Sequence, residues 1–461
     1  MSGPGKNCCG RPSPLNNSGP AKNRLISFIV LGIILSLCSC EKKPAPSSST
    51  DKKSPVNMKE TRLSIIPQGY EAGGIVFSPD GYHVAYAIKK QDSYFAVLGD
   101  KQGKQYGGVK DIVFSPDGRT VAYAATKAGK KLIVAGEKEG RAYEDVGRPI
   151  FSPDGNVVAY EAGKENKWHI AVDGRESESR DSFYSPPAFS PDGRLITYIE
   201  QHHDRKKIAR VVNSIELKNP RKGKEYDGLT ALAFSPDRSR VACSVISEGK
   251  TFLVISDFGS PGEGEKAGPV YDALSNIAFS PDGKKVAYLA GKKEKRFLVV
   301  NDREEKFPAD GLLFPPFFSP DGSRIAAVAT RKGQTFVLID GQEGKHYEDI
   351  GPPVFSPDSS KLAFPARKDG KWFLVVNGRE SGSSYDIAVS PVFSPDGSRI
   401  VYRARKDGKR FVVIADKNGR TVKEIPPYEM VWQPVFAPDG KSIAYGVKDG
   451  RELWWKVESV K

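Results

Sequence analysis

In 461 residues the chain holds only five cysteines, five histidines and three methionines. So few cysteines cannot staple a body of this length, which excludes a disulfide scaffold. No Cys or His motif has zinc spacing, no Gly-rich phosphate loop follows a strand, and no G-x-S-x-G nucleophile elbow occurs. The longest uncharged apolar run, Leu25 to Leu37, is thirteen residues, short of the ~20 that span a bilayer as a helix. Beyond residue 60 no helical periodicity of useful length exists, which excludes bundles and coiled coils. Turn formers and cations are abundant instead. Glycine numbers 46 and proline 34, and 70 Lys and Arg face 56 Asp and Glu for a net charge of +14. Such a composition describes a large, basic, turn-rich globular body.

The apolar run follows Lys6, Arg11, Lys22 and Arg24 with no acid before it, the order of a secretory signal. It ends Leu37-Cys38-Ser39-Cys40, which resembles a bacterial lipobox: an apolar residue, one more, a small residue, then the cysteine. The resemblance implies that 1–39 is a lipoprotein signal peptide and that the Cys40 sulfur takes a diacylglycerol. Residues 40–60 would be a lipidated N-terminus and flexible tether, since they are polar and rich in Pro, Ser and Lys. Glu41 after the cysteine implies, by the lipoprotein sorting rule, the periplasmic face of the outer membrane. Removal of 1–39 leaves a charge of +10 and one cysteine besides Cys40. That cysteine, Cys243, reads as a buried strand residue.

The rest of the chain repeats. Phe-Ser-Pro-Asp recurs with its Phe at 77, 114, 151, 189, 234, 279, 318, 355 and 393, and a changed copy starts at Phe436. The mean spacing of about 40 is that of a four-stranded propeller blade. In the unit 385–428, Pro391 to Ser394 reads as a strand and Pro395-Asp396-Gly397 as a tight turn. Arg399 to Ala404 is a second strand, Asp407-Gly408 a hairpin signal, and Phe411 to Ile414 and Thr421 to Ile425 complete the unit. In seven units a tyrosine stands eight residues before the Phe, a phase that reads as packing. The last unit supplies three strands, and Arg62 to Pro67 can serve as its fourth. The expectation is an all-β propeller over 61–461 with about ten four-stranded blades in one closed ring; two smaller rings are the alternative.

The FSPDG-x₂-[VI]-A-Y core resembles the PD-type, WD-like repeats of TolB-type β-propellers. It is also similar to the propeller halves of prolyl oligopeptidases and dipeptidyl peptidases. The resemblance covers 61–461 and speaks for fold. The hydrolase domain of those peptidases and the N-terminal α/β domain of TolB have no counterpart in this sequence. The repeated Asp is a turn former. His202-His203-Asp204 lacks a third spaced ligand and reads as a solvated loop. No catalytic, cofactor or metal residue is assigned.

Charge points to a partner. Cations gather in the loops between second and third strands: Lys130 and Lys131, Arg367, Lys368 and Lys371, and Arg405, Lys406, Lys409 and Arg410, with further sets at Lys89-Lys90, Arg205-Lys206-Lys207, Lys292-Lys293 and Arg331-Lys332. In a propeller these loops share one face, where a ring of cations would attract anions. The alternative is that they only solubilise hairpin tips. The expected function is a lipid-anchored cell-envelope module that binds or scaffolds a protein or an anionic polymer, with no cofactor and no nucleic acid partner. The rival reading is a propeller-fold lyase, cyclase or hydrolase with its site in the central channel.

Overall fold

The computed structural model describes residues 60–201, 209–213, 221–257, 266–307 and 309–460, all of them strand, turn or loop. They form ten antiparallel sheets in chain order, each with an inner, a second, a third and an outer strand. The first blade runs Glu71–Phe77, Val84–Lys90, Ser93–Leu98 and Lys101–Tyr106. The ring is single and ten-bladed, so the two-ring alternative falls.

The Ser-Pro-Asp-Gly turn joins the inner strand to the second, and its side chains explain its recurrence. In the second blade the buried Ser115 hydroxyl donates to Asp117 (2.5 Å) and accepts the Thr120 amide (3.0 Å). Asp117 accepts the Arg119 amide (3.1 Å). The Ser115 bond holds the Asp117 carboxyl below the usual range. Gly118 has a φ of +74°, and a side chain there would start 3.0 Å from the Asp80 carboxylate of the preceding blade. Two copies lack the glycine, and each reaches back across the same boundary. Arg238 donates to Phe189 O (3.2 Å), and Ser359 Oγ accepts the Asp321 amide (3.2 Å).

Second strands such as Val121–Lys127 are buried on both faces for most of their length, because each blade lies between two others. That is why the sequence runs Val-Ala-Tyr-Ala there rather than alternating with polar residues. Tyr123 meets Tyr106 of the preceding blade edge to face (centroids 6.2 Å apart), and the Tyr106 hydroxyl donates to Glu139 of its own neighbour (3.0 Å). Tyr143 repeats this with Tyr160 and Glu176 (2.8 Å), and Tyr385 with Tyr402 and Glu424 (2.6 Å). The periodic tyrosine therefore packs between blades and at these boundaries staples them, whereas the Tyr271 hydroxyl is buried without a partner. Arg180 takes its place before Phe189 and forms a buried ion pair with Glu200 (3.0 Å). Phe307 takes it before Phe318 and is 5% exposed.

The N-terminal strand closes the ring. Thr61–Ile65 lies against Glu452–Ser459 as the outer strand of the tenth blade, with Thr61 opposite Trp455 and Ile65 opposite Glu452. It begins one residue before the expected Arg62 and stops short of Pro67, while Ile66 still donates to Arg451 O (2.8 Å). Ser64 Oγ is buried against Tyr86 OH (2.8 Å), Gly99 O (2.5 Å) and Asp100 (3.0 Å) of the first blade. Phe77 packs on Trp432 and Trp455, and Trp432 Nε1 donates to Ile75 O (3.2 Å).

Expected strand bounds in the ninth blade were too short. Its inner strand is Ile387–Phe393, its second Arg399–Lys406 and its third Lys409–Asp416. Charged Arg405, Lys406 and Lys409 continue the ladder to the hairpin because an edge-on charge costs a strand little when its side chain reaches solvent. Cys243 is a buried strand residue.

Candidate functional site

Chain direction puts the second-to-third-strand hairpins and the links between blades on one rim, opposite the Ser-Pro-Asp turns. In most of the described hairpins both central residues have positive φ, as at Asp407 (51°) and Gly408 (76°), which fits a two-residue type I′ loop; in the first and tenth blades only Gln91 and Gly450 do. The register then sets lysine against lysine. Lys127 faces Lys130, Lys164 faces Lys167, Lys292 faces Lys295, Lys368 faces Lys371, and Lys406 faces Lys409.

The rim is not uniformly cationic. Lys131 pairs with Asp145 (2.8 Å), Lys130 lies 3.8 Å from Glu144, Arg367 pairs with Glu348 (3.2 Å), and Lys371 with Asp386 (2.6 Å). These acids stand in the links between blades. The Asp386 carboxyl is held below the usual range, first by the Lys371 bond and to a lesser degree by Arg405. Arg410 donates to Glu429 O (2.6 Å). Lys368, Lys406 and Lys409 are exposed and have no carboxylate partner among the described residues. Residues 1–59, including Cys40, and His202, His203 and Asp204 with Arg205-Lys206-Lys207 lie outside the described residues. Among the described residues no helix is long and apolar enough to cross a membrane.

A second set of positions was missed in the sequence. The inner strands surround the channel, and each is bulged or broken where it faces inward. Asp111, Asn276 and Ser390 hold left-handed φ values of 56°, 56° and 57° at bulges; elsewhere prolines such as Pro149, Pro353 and Pro434 interrupt the strand. The residues four and three before the Phe vary where the rest of the unit does not: Gly73-Gly74, Lys110-Asp111, Gly147-Arg148, Ser275-Asn276, Phe314-Pro315 and Trp432-Gln433. Aligning the ten copies and seeking the variable columns would have found them.

Behind these strands, two ionisable groups occupy one equivalent place, the residue after the second-strand tyrosine. In the third blade it is Glu161, beside Gly147. Burial alone pushes its carboxyl up to about 7. In the ninth it is Arg403, whose Nη1 donates to Val431 O and Nη2 to Ser390 Oγ, both at 3.3 Å, while its buried Nε has no partner. Burial pushes this guanidinium down, with no carboxylate to offset it. Gln433 Nε2 donates to Ser390 O (3.0 Å) and ties the inner strands of the ninth and tenth blades together.

Neither a protein-family model nor a curated protein matches the chain. Solved structures that match include a eukaryotic initiation factor, 15% identical with a TM-score of 0.46 over 74% of this chain and 93% of the other. TolB from Acinetobacter baumannii matches at 15% identity and 0.29, over 62% and 81%. The propeller domain of the Trilobed protease from Pyrococcus furiosus matches at 16% and 0.34, over 67% and 94%. The likeness is one of fold. The ten sheets themselves make this chain a ten-bladed β-propeller.

Proposed function

We propose that this protein is a lipid-anchored cell-envelope propeller that acts by binding, and that its hairpin rim docks an anionic protein or envelope polymer. The supporting observation is the set of five hairpins that oppose lysine to lysine. Like charges directly opposite in a ladder are destabilising, by something on the order of a few tenths of a kcal/mol each. A hairpin tip that needed only solubility would avoid the arrangement. The opposite rim is locked by the Ser-Asp turn bonds and offers less freedom for contacts. Anchoring through Cys40 on the periplasmic face of the outer membrane belongs to the same reading, and nucleic acid does not.

The test replaces Lys368, Arg405, Lys406 and Lys409 by Ser and measures retention on dextran sulfate and cross-linked capture from membranes, at ionic strength on the order of 10 mM. Folding should be unchanged and retention weaker. A control removes Lys138, Arg175, Arg303 and Arg379 from outer strands. Equal losses in both variants would show that charge acts without place and would defeat the reading.

A second reading, a propeller-fold enzyme working in the channel, draws support from Glu161. A carboxyl near 7 is suited to general acid or base work, and the inner strands are unlike one another. Turnover of an envelope glycan or peptide by the parent, lost in Glu161→Gln with binding intact, would favour it.

A further inference from the structure

The acids in the links between blades perform two tasks. Asp386 accepts the Asp407 amide at the tip of the following hairpin (2.9 Å) and pairs with Lys371 of the preceding blade (2.6 Å). Lys130 and Lys167 stand where Lys371 does, and they meet Glu144 and Asp181. In the sixth blade that place belongs to Lys295. There the sequence reads Phe307-Pro308-Ala309-Asp310 where the eighth reads Tyr385-Asp386. Two additional residues part the acid from the anchoring ring. Asp310 keeps the first task, accepting the Lys332 amide (2.8 Å), and loses the second. Among the described residues neither Lys295 nor Lys306 has a carboxylate partner, and Arg296 spends one bond on Ala309 O (3.3 Å).

At this point the surface opens into a cleft of about 440 Å³. Lys295, Arg296 and Lys306 line it with Phe307 and Ala309, and Glu294 and Asp310 flank them. We propose that this cleft binds a phosphate or sulfate ester carried on a sugar-sized body. Three cations that line one cleft, none of them ion-paired among the described residues, suit a tetrahedral oxyanion, which offers more acceptor oxygens than a carboxylate. The cleft is open to solvent and leaves room for more than a bare ion. The flanking carboxylates of Glu294 and Asp310 offer acceptors for the hydroxyls of a sugar. The site goes beyond the rim reading and uses none of the residues tested there.

The experiment follows the thermal midpoint of the purified protein with inorganic phosphate and with glucose 6-phosphate, against chloride at matched ionic strength. Both should raise the midpoint saturably, the ester at lower concentration. Lys295→Gln with Lys306→Gln should lose at least tenfold in apparent affinity. Ala309→Glu, which supplies the missing counter-ion without removing a cation, should do the same. Lys138→Gln with Arg379→Gln, on outer strands, should respond as the parent does. Equal potency of the bare ion would overturn the ester assignment. No saturable shift in the parent, or an unchanged one in Ala309→Glu, would overturn the site.

Discussion

Glu161 makes the stability of this propeller depend on pH in a direction that can be stated in advance. Its carboxyl rises from 4.5 to about 7 on folding because burial disfavours the charged form. Below 4.5 the group is protonated in both folded and unfolded chains, and it costs nothing. As pH climbs from 4.5 towards 7 the unfolded chain releases the proton and the folded chain keeps it, so stability falls. Above 7 the penalty is complete and constant. The full difference of about 2.5 pH units corresponds to about 3 kcal/mol. The side chain is partly exposed, so water reduces this to ~1–2 kcal/mol. Glu161→Gln removes the titration and keeps the shape. Denaturant unfolding of parent and variant from about pH 4 to about pH 8.5 isolates the effect, since any fixed cost of the amide cancels across pH. The variant should gain on the parent as pH rises, by ~1–2 kcal/mol. A pH-independent difference, or a gain on acidification, would refute the burial argument.

Other outcomes follow from the same contacts. Ser64→Ala removes the hydroxyl between Tyr86 OH and Gly99 O and should lower stability by about 1–3 kcal/mol; deletion of 61–68 should lower the melting temperature further, and a deletion variant as stable as the parent would refute closure by the N-terminal strand. Arg180→Met leaves Glu200, 1% exposed, without its cation, and should cost about 3–5 kcal/mol. Adding Glu200→Met should recover most of that in chemical denaturation. Mass spectrometry of the mature N-terminus should find Cys40 carrying a diacylglycerol, and an unmodified Cys40 would defeat the anchor.

The fold was legible because each repeated residue serves two blades. Ser115 and Asp117 build one turn and their neighbour's glycine sits against it; Tyr106 packs on Tyr123 and bonds Glu139 in the next blade. A substitution at such a position disturbs a boundary as well as a blade, so the pattern recurs in readable form. The ring closure was legible too, from a last unit with three strands. The rim was legible only in part. Sequence shows the lysines at the hairpin tips, but the acids that neutralise Lys131, Arg367 and Lys371 come from links between blades. Glu161 and Arg403 escaped notice because their significance lies in burial without an opposite charge.

Those same facts locate where this chain can differ from blade to blade. Inner-strand positions such as Lys110-Asp111 and Trp432-Gln433 adjoin the channel at a bulge or a proline break, where the ladder already yields. Hairpin tips end in solvent. Both can change without disturbing the stapled boundary, so both collect the chain's individuality. The sixth blade joins the two conditions at the rim: Phe307 replaces the stapling tyrosine, and the link before Asp310 lengthens by two residues. A missing Tyr–Glu staple is bearable, as at Arg180 before Phe189 and at Tyr271, whose hydroxyl has no partner, and the longer link leaves Lys295 without the kind of acid that holds Lys371 in the eighth blade. Tenfold repetition thus supplies the tolerance, and a single departure from it supplies a place for a ligand.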